Sequence, residues 1–354
     1  IMNRASSSLL ALPVALLACG TALAADPAAP MGSAWTSGSL TFITENDKWA
    51  FRGEDRHYTN GVRMSWVSNI IHPTEPSPWR WAHGLAGFIP TFDPAGELRV
   101  GISLGQSVYA PGDNLRTDRI SDDRPYAGWL YGGFALINER RRAPQGVDTL
   151  DTFEVNLGIV GPGAGGRVVQ NRWHNLIAVD EAKGWSNQLP NEPGIVLYYE
   201  RKWRDPTNLK TRLIDDLAID VIPHAALSLG NVATYAAGGA TLRFGRNLDV
   251  DFGPPRIRPA LSGSGHVRAE DEVGWYFFAG SEIRAVAYDI FLDGPALRSS
   301  QSVDRKPVVV DLQAGAAITW RSVRAAYTYV IRTREFDGQK APDRFGAFSL
   351  TFGF

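Results

Sequence analysis

Apolar and polar residues alternate with a period of two along most of the chain. In 345–354, Phe348, Leu350, Phe352 and Phe354 take one phase, and Ser349, Thr351 and Gly353 the other. In 307–320, Val308, Val310, Leu312, Ala314, Ala316, Ile318 and Trp320 alternate with Asp311, Gln313 and Thr319. Successive side chains of a strand point to opposite faces, so one face suits lipid and the other a polar lumen. Similar runs cover 38–47, 57–68, 98–109, 126–138, 148–160, 193–204, 215–230, 233–245, 274–289 and 321–333. The total is about twelve, an even number, as a single-chain bacterial barrel requires. The expected fold is all-β: a transmembrane antiparallel β-barrel of about 12 strands. A soluble sandwich would alternate too, but with fewer aromatics at strand ends and no aromatic terminal strand. Phe354, closing such a strand, resembles the signal that hands outer-membrane proteins to the barrel-assembly machinery.

Strand parity orients the connections. With the N-terminus in the periplasm, odd-numbered strands end outside, so 44–60, 110–125 and 161–192 all lie at the outer rim. These three connections also carry the densest polar chemistry. The Pro-rich stretch 72–94 and the polar stretch 254–272 read as plain connections, and no domain boundary is evident.

Composition narrows the picture further. Residues 2–25 have the layout of an export signal: Asn3 and Arg4, an apolar stretch from Leu9 to Cys19, then Ala22, Leu23 and Ala24. The apolar stretch is too short to span a bilayer. Cleavage is expected after Ala24 or Ala25, leaving 26–354 as the outer-membrane barrel. Leu16-Leu17-Ala18-Cys19 could be read as a lipoprotein signal, but an ordinary cleavage site follows closely. Cys19 is the only cysteine, so the mature chain would have no disulfide, thiolate zinc site or cysteine nucleophile. The net charge of -1 offers no footprint for nucleic acid. Tryptophan is abundant at 11 and glycine high at 36, as in a barrel with aromatic girdles. A monomer is expected.

Two constellations carry candidate chemistry. Asn46 and Asp47 end strand one and Thr59 begins strand two, so a hairpin brings them to one height in the wall. Thr59, Arg63 and Ser65 share a phase and are expected to face the lumen, opposite Tyr58, Val62, Met64 and Trp66. The alternative is a polar hairpin with Asx turns. In the connection after strand five, 166–180 is expected to form a short helix in an extracellular loop, with Val168, Val169, Trp173, Leu176 and Ile177 on one side. His174 would lie near Gln170 and Asn171, and neutral imidazole is a good proton acceptor near neutral pH. Asp180 and Glu181 are placed to orient it or to support a cation; a lone structural histidine is the competing account.

Other patterns are discounted. Gly161 to Gly166 fits G-x-G-x-x-G, but the strand before it alternates where a buried parallel strand would be continuously apolar, and no second βαβ unit follows. Gly101 to Gly105 fits G-x-S-x-G, but Ser103 lies mid-strand and not on a strand-to-helix elbow. His72 and His83 fall on the periplasmic side, His224 is mid-strand, and His266 pairs with no other candidate. Asp122, Asp123 and Arg124 open strand four as either a salt-bridged strand start or part of a site.

Taken together, Thr44-Glu45-Asn46-Asp47, Asp55 to Gly61, Asp123 to Gly128, Gly161-Pro162 with Val169 to His174, and Gly184-Trp185 with Gln188-Leu189 and Glu192-Pro193 resemble the outer-membrane lipid A 3'-O-deacylases. The motifs span the first half of the mature chain; the second half resembles the family only as alternating strands ending in Phe. The resemblance implies a barrel that hydrolyses the 3'-linked acyloxyacyl ester of lipid A, with Ca2+ as cofactor and lipopolysaccharide as substrate in the outer membrane. It assigns the active site to Asn46, Asp47, Thr59 and His174. Asp180 stands where relatives can carry Glu, Gly163 where some carry Asp, and Arg116 is the nearest substitute for a lysine of the family. On this reading His174 takes a proton from the attacking water, Asp47, Asn46, Thr59 and Asp180 are the metal-ligand candidates, and Arg116 and Arg63 are the substrate-binding candidates. A serine-dependent outer-membrane phospholipase and a non-enzymatic porin are the competing readings.

Overall fold

The computed structural model describes residues 37–50, 57–74, 77–141, 147–205, 211–212, 217–257, 264–268 and 270–354. The expected export signal and residues Glu54, Asp55 and Arg56 lie outside the described residues. Twelve long strands form the wall: β1 Gly38–Asn46, β2 His57–Ser68, β3 Glu97–Ala110, β4 Ala127–Arg140, β5 Asp148–Val160, β6 Glu192–Arg204, β7 Leu217–Gly230, β8 Ala233–Arg246, β9 Glu270–Asp289, β10 Val308–Arg321, β11 Val323–Arg332 and β12 Asp343–Gly353. Each pairs antiparallel with the next, and β1 pairs with β12 from Ser39↔Gly353 to Asn46↔Gly346. That last pairing closes the sheet and removes its edges. A two-residue strand, Thr211–Arg212, lies beside β7.

Alternation sorts the two faces. Phe42, Met64, Leu104, Leu157, Leu242, Phe277, Leu312, Ile318 and Phe348 are exposed on the outside, while Thr41, Glu154, Asp220, Arg243, Arg284, Asp311 and Arg324 are buried inside. No helix among the described residues is long and apolar enough to cross a membrane; the strands are the crossing elements, because a closed barrel satisfies every backbone group within the wall.

The lumen is packed with ion pairs. Arg284 and Arg332 both clasp Asp311, at 2.9–3.1 Å. Asp251 takes Arg243 on one oxygen and Arg324 on the other, each at 2.6 Å. Buried charges need such partners, since an unpaired one would be strongly destabilising.

Asp251 belongs to the connection between β8 and β9, which folds into the lumen. Arg256 and the Ile257 amide donate to Glu45 at 3.1 and 3.0 Å, and His266 lies 2.9 Å from Glu139. The described parts of the stretch read as a plain connection, 254–257 and 264–268, thus form an inward plug, β9 starts at Glu270, and His266 has a carboxylate partner. An interior crowded by paired charges and crossed by a loop is not that of a water-filled porin.

Candidate active site

The hairpin between β1 and β2 supplies one wall of the site. Asn46 stands directly across from Asn60. The Asn46 side-chain Oδ1 accepts from the Lys48 amide at 2.8 Å and its Nδ2 donates to the Thr59 main-chain carbonyl at 2.8 Å, so Asn46 caps the single 3₁₀ turn Asp47–Trp49. Asparagine suits this position because its short acceptor satisfies an orphan turn amide. The cap leaves Asp47 buried.

A bulge breaks the alternation of β2 at Thr59: Tyr58 faces Tyr109 on β3, yet Asn60 faces Val108. One extra residue re-aims the side chains around it. Arg63 enters the lumen as expected and pairs with Glu154 at 2.8 Å, with Ser103 at 3.3 Å. Tyr58, expected outside, is instead buried against Tyr109 and Phe345. Thr59 parts company with Arg63 and lines the site. Arg63 as a substrate ligand is therefore corrected: it is fixed to a carboxylate inside the barrel. The same geometry argues against Ser103 as a nucleophile, since its hydroxyl accepts from the Arg63 guanidinium and no imidazole is hydrogen-bonded to it among the described residues.

Apart from the short helix α1, Ala82–Ala86, the chain builds the helix α2, Gly166–Leu176, which forms the opposite wall and follows a 3₁₀ turn at Pro162–Ala164. Gly165 adopts φ 70° to enter the helix. A Cβ on Gly166 would stand 2.7 Å from the Trp185 ring and 3.3 Å from the Gly128 Cα, so bare backbone is what lets the helix sit on β4. These glycines serve close packing, consistent with discounting a dinucleotide loop.

The inward face of α2 is Gly166, Gln170 and His174, with the Trp185 indole donating to Gln170 at 2.8 Å. The expected apolar packing face is corrected in part. Trp173 and Ile177 line the site, but Val168 is 52% and Leu176 70% exposed. At the rim of a membrane barrel, an apolar residue facing away from the wall meets the lipid interface, which does not penalise it as bulk water does.

Between these walls lies a hollow of about 10 Å³, room for about one water-sized sphere, lined by Asn46, Asp47, Lys48, Thr59, Asn60, Gln170, Trp173, His174 and Ile177. Asn46 and Asn60 share the phase of Phe42 and Met64, so the hollow is on the outward side of the wall, under the helix, and not in the lumen. His174 is buried, and its Nδ1 lies 2.6 Å from the main-chain oxygen of Asp180. A carbonyl only accepts, so Nδ1 carries the proton and Nε2 the lone pair.

The orienting group for the imidazole is thus main-chain, not a carboxylate. The Asp180 side chain is exposed and Glu181 accepts from Asn171 and Asn175, at 3.3 and 2.8 Å. Neither lines the hollow, and Asp180 as a metal ligand has no support in this geometry.

The donor set suits a hard cation. Asn60 Oδ1 is buried without a hydrogen-bond partner among the described residues, beside the Asp47 carboxylate and the Thr59 hydroxyl, which donates to the Val108 carbonyl at 3.2 Å and keeps its lone pairs. Carboxylate, amide and hydroxyl oxygens are calcium donors. Among the described residues no group of three or more His, Cys, Asp or Glu gathers into a metal cluster, so a cation here would draw on neutral oxygens as well. Asn46 is occupied at both ends of its amide and acts as the cap rather than as a donor.

Arg116 is exposed at the outer rim and bridges Asp118; it does not line the hollow. Asp123 accepts from the Gly112 and Arg124 amides at 2.7 Å and stands 3.5 Å from His57 Nε2, while His57 Nδ1 meets Asp343 at 2.6 Å. Burial alone would raise the Asp123 carboxyl, but His57 and the two amides hold it below the usual range. This trio ties the loop after β3 to β2 and β12; it is the salt-bridged strand start. Asn60 and Gln170 were legible as polar residues, yet only the cross-strand register and the helix phase single them out. Lys48 carries no such signal in the sequence.

A family model described as "Outer membrane protein LpxR" matches residues 10–354. Among solved structures, LpxR from Salmonella typhimurium is similar at 21% identity and a TM-score of 0.67, covering 89% of this chain and 100% of that one. At this identity the likeness shows the fold. The beta domain of the Bordetella autotransporter BrkA is 11% identical with a TM-score of 0.41, covering 90% of this chain and 99% of that one; it carries no argument. No curated protein matches the chain.

Proposed function

The chain belongs to the family of the outer membrane protein LpxR, and from that premise we propose that it is a lipid A deacylase of the Gram-negative outer membrane, a calcium-dependent hydrolase of the 3'-linked acyloxyacyl ester. The supporting observation is the convergence of Asp47, Thr59, Asn60 and His174 on one hollow at the lipid-facing side of the outer rim. An ester of an outer-leaflet lipid reaches that side of the wall without entering the lumen.

The chain's own groups divide the work. With Nδ1–H held by the Asp180 carbonyl, Nε2 of His174 accepts a proton from water. The water oxygen forms a bond to the acyl carbon. As the tetrahedral adduct collapses, the C–O bond to the sugar breaks and the proton on Nε2 passes to the departing alkoxide. Asp47, Asn60 and Thr59 would hold calcium, whose charge would offset negative charge developing on the acyl oxygen. Asn46, by capping the turn, keeps Asp47 aimed at the hollow.

Mass spectrometry of lipid A from cells with and without the gene tests this reading, with calcium present and then chelated. The expected result is loss of the 3' acyl chain in a calcium-dependent manner. Unchanged lipid A would reject the deacylase, and lysophospholipid in its place would favour a phospholipase.

A further inference from the structure

Outside the barrel, β1, β10, β11 and β12 leave an apolar groove of about 550 Å³, within the range of ligand pockets. Its shape follows from register. One row across the wall is Ile318, Ala325, Leu350 and Phe42; the next, nearer the outer rim, is Ala316, Tyr327, Phe348 and Thr44. Small side chains at Ala316, Ala325 and Thr44, between large ones, make the depression.

The groove's upper end meets the hollow through aromatic rings. Phe348 stacks edge-on with Trp49 at 5.2 Å, and Trp49 edge-on with Trp173 at 6.3 Å. Trp173 lines the hollow beside His174. The Tyr327 hydroxyl donates to the Trp49 carbonyl at 2.8 Å. A Cβ on Gly346 would come within 2.8 Å of the Trp49 Cβ and carbonyl oxygen, so bare backbone lets the Trp49 turn lie on the wall. Trp49 follows Asp47 by two residues, so one turn carries both the buried acid and the top of the groove.

We propose that the groove holds one acyl chain of the lipid A substrate, with Trp49 and Trp173 guiding its ester end to the hollow and Ala316 and Ala325 setting the width of chain admitted. The proposal rests on the deacylase reading. Three features argue for an acyl chain as occupant: the surface is apolar, it lies on the membrane-facing side, and it continues to the hydrolytic residues without crossing the wall.

The test uses the full barrel in vesicles and a lipid A bearing a diazirine at an acyl-chain end, with a diazirine phospholipid for comparison. Photolabelling in the His174→Ala background is expected on β10–β12, stronger with lipid A than with phospholipid. Ala316→Phe with Ala325→Phe, which fill the depression, should lower that labelling and the wild-type background's acyl release by roughly tenfold. Correct assembly is checked by heat-modifiable gel mobility; if the double variant fails to assemble, Ala325→Phe alone carries the comparison. Labelling spread evenly around the barrel, or equal for the two lipids, overturns the groove. Acyl release by the wild type with even labelling would sink the groove and keep the deacylase; groove labelling without release would keep the groove and sink the reaction.

Discussion

The lumen and the hollow under α2 are both buried, polar and built by the same strands, yet they put those groups to opposite uses. In the lumen, acids are matched to guanidinium groups: Asp311 holds Arg284 and Arg332, and Asp251 holds Arg243 and Arg324. No arginine lines the hollow, where Asp47 sits with amides, a hydroxyl, an imidazole and the flexible side chain of Lys48. A carboxylate forked by arginine has its charge committed to holding the wall. Neutral oxygens around a small space remain available to a cation or a reacting ester. Polar burial therefore marks function here where the acid is not forked between guanidinium groups of the wall.

Substitutions in each region should have separable effects, and the largest is expected at the hollow. His174→Ala should lower acyl release by roughly 10²–10⁴-fold, the usual contribution of a general base, while gel mobility shows an assembled barrel. Retained release would erase the contrast.

In the lumen, Asp251→Ala leaves Arg243 and Arg324 without their shared acid and should cost about 3–5 kcal/mol. Urea titration of the folded band would measure it, and per-barrel activity at low urea should persist. Acid sharpens the same point. Burial favours a neutral Asp251, but Arg324 and Arg243 outweigh it and hold the carboxyl down to about 2. Its folded value is thus below the unfolded value of about 3.9, so its stabilisation is complete above about pH 4 and lost as pH falls toward 2. Wild type should weaken over that window and Asp251→Ala less so; parallel curves would reject the assignment.

The smallest effect belongs to the cap. Asn46→Ala should cost about 1 kcal/mol. Because the lost bond holds the Asp47 turn, calcium should restore activity at higher concentration; loss of activity that added calcium leaves unchanged would instead place Asn46 in the chemistry.

Much of the wall was readable from the chain alone. A period of two is a local property: Phe348, Leu350 and Phe352 alternate with Ser349 and Thr351 whatever their neighbours, and lipid outside and charge inside enforce it strand by strand. Parity and hairpin connectivity likewise sufficed to bring Asn46, Asp47, Thr59 and His174 to one rim, and the four share one hollow. The side of the wall was not determined that way. A single-residue bulge at Thr59 shifts the phase of β2, and the sequence of a bulged strand looks like that of a regular one. The polar inward face of α2, the main-chain partner of His174 and the plug in the lumen were also tertiary decisions. Each depends on contacts between residues far apart in sequence: Gly166 with Gly128, Arg256 with Glu45, Arg324 with Asp251. Local pattern encodes which way a side chain points along its own strand, but only the closed barrel sets what stands opposite it.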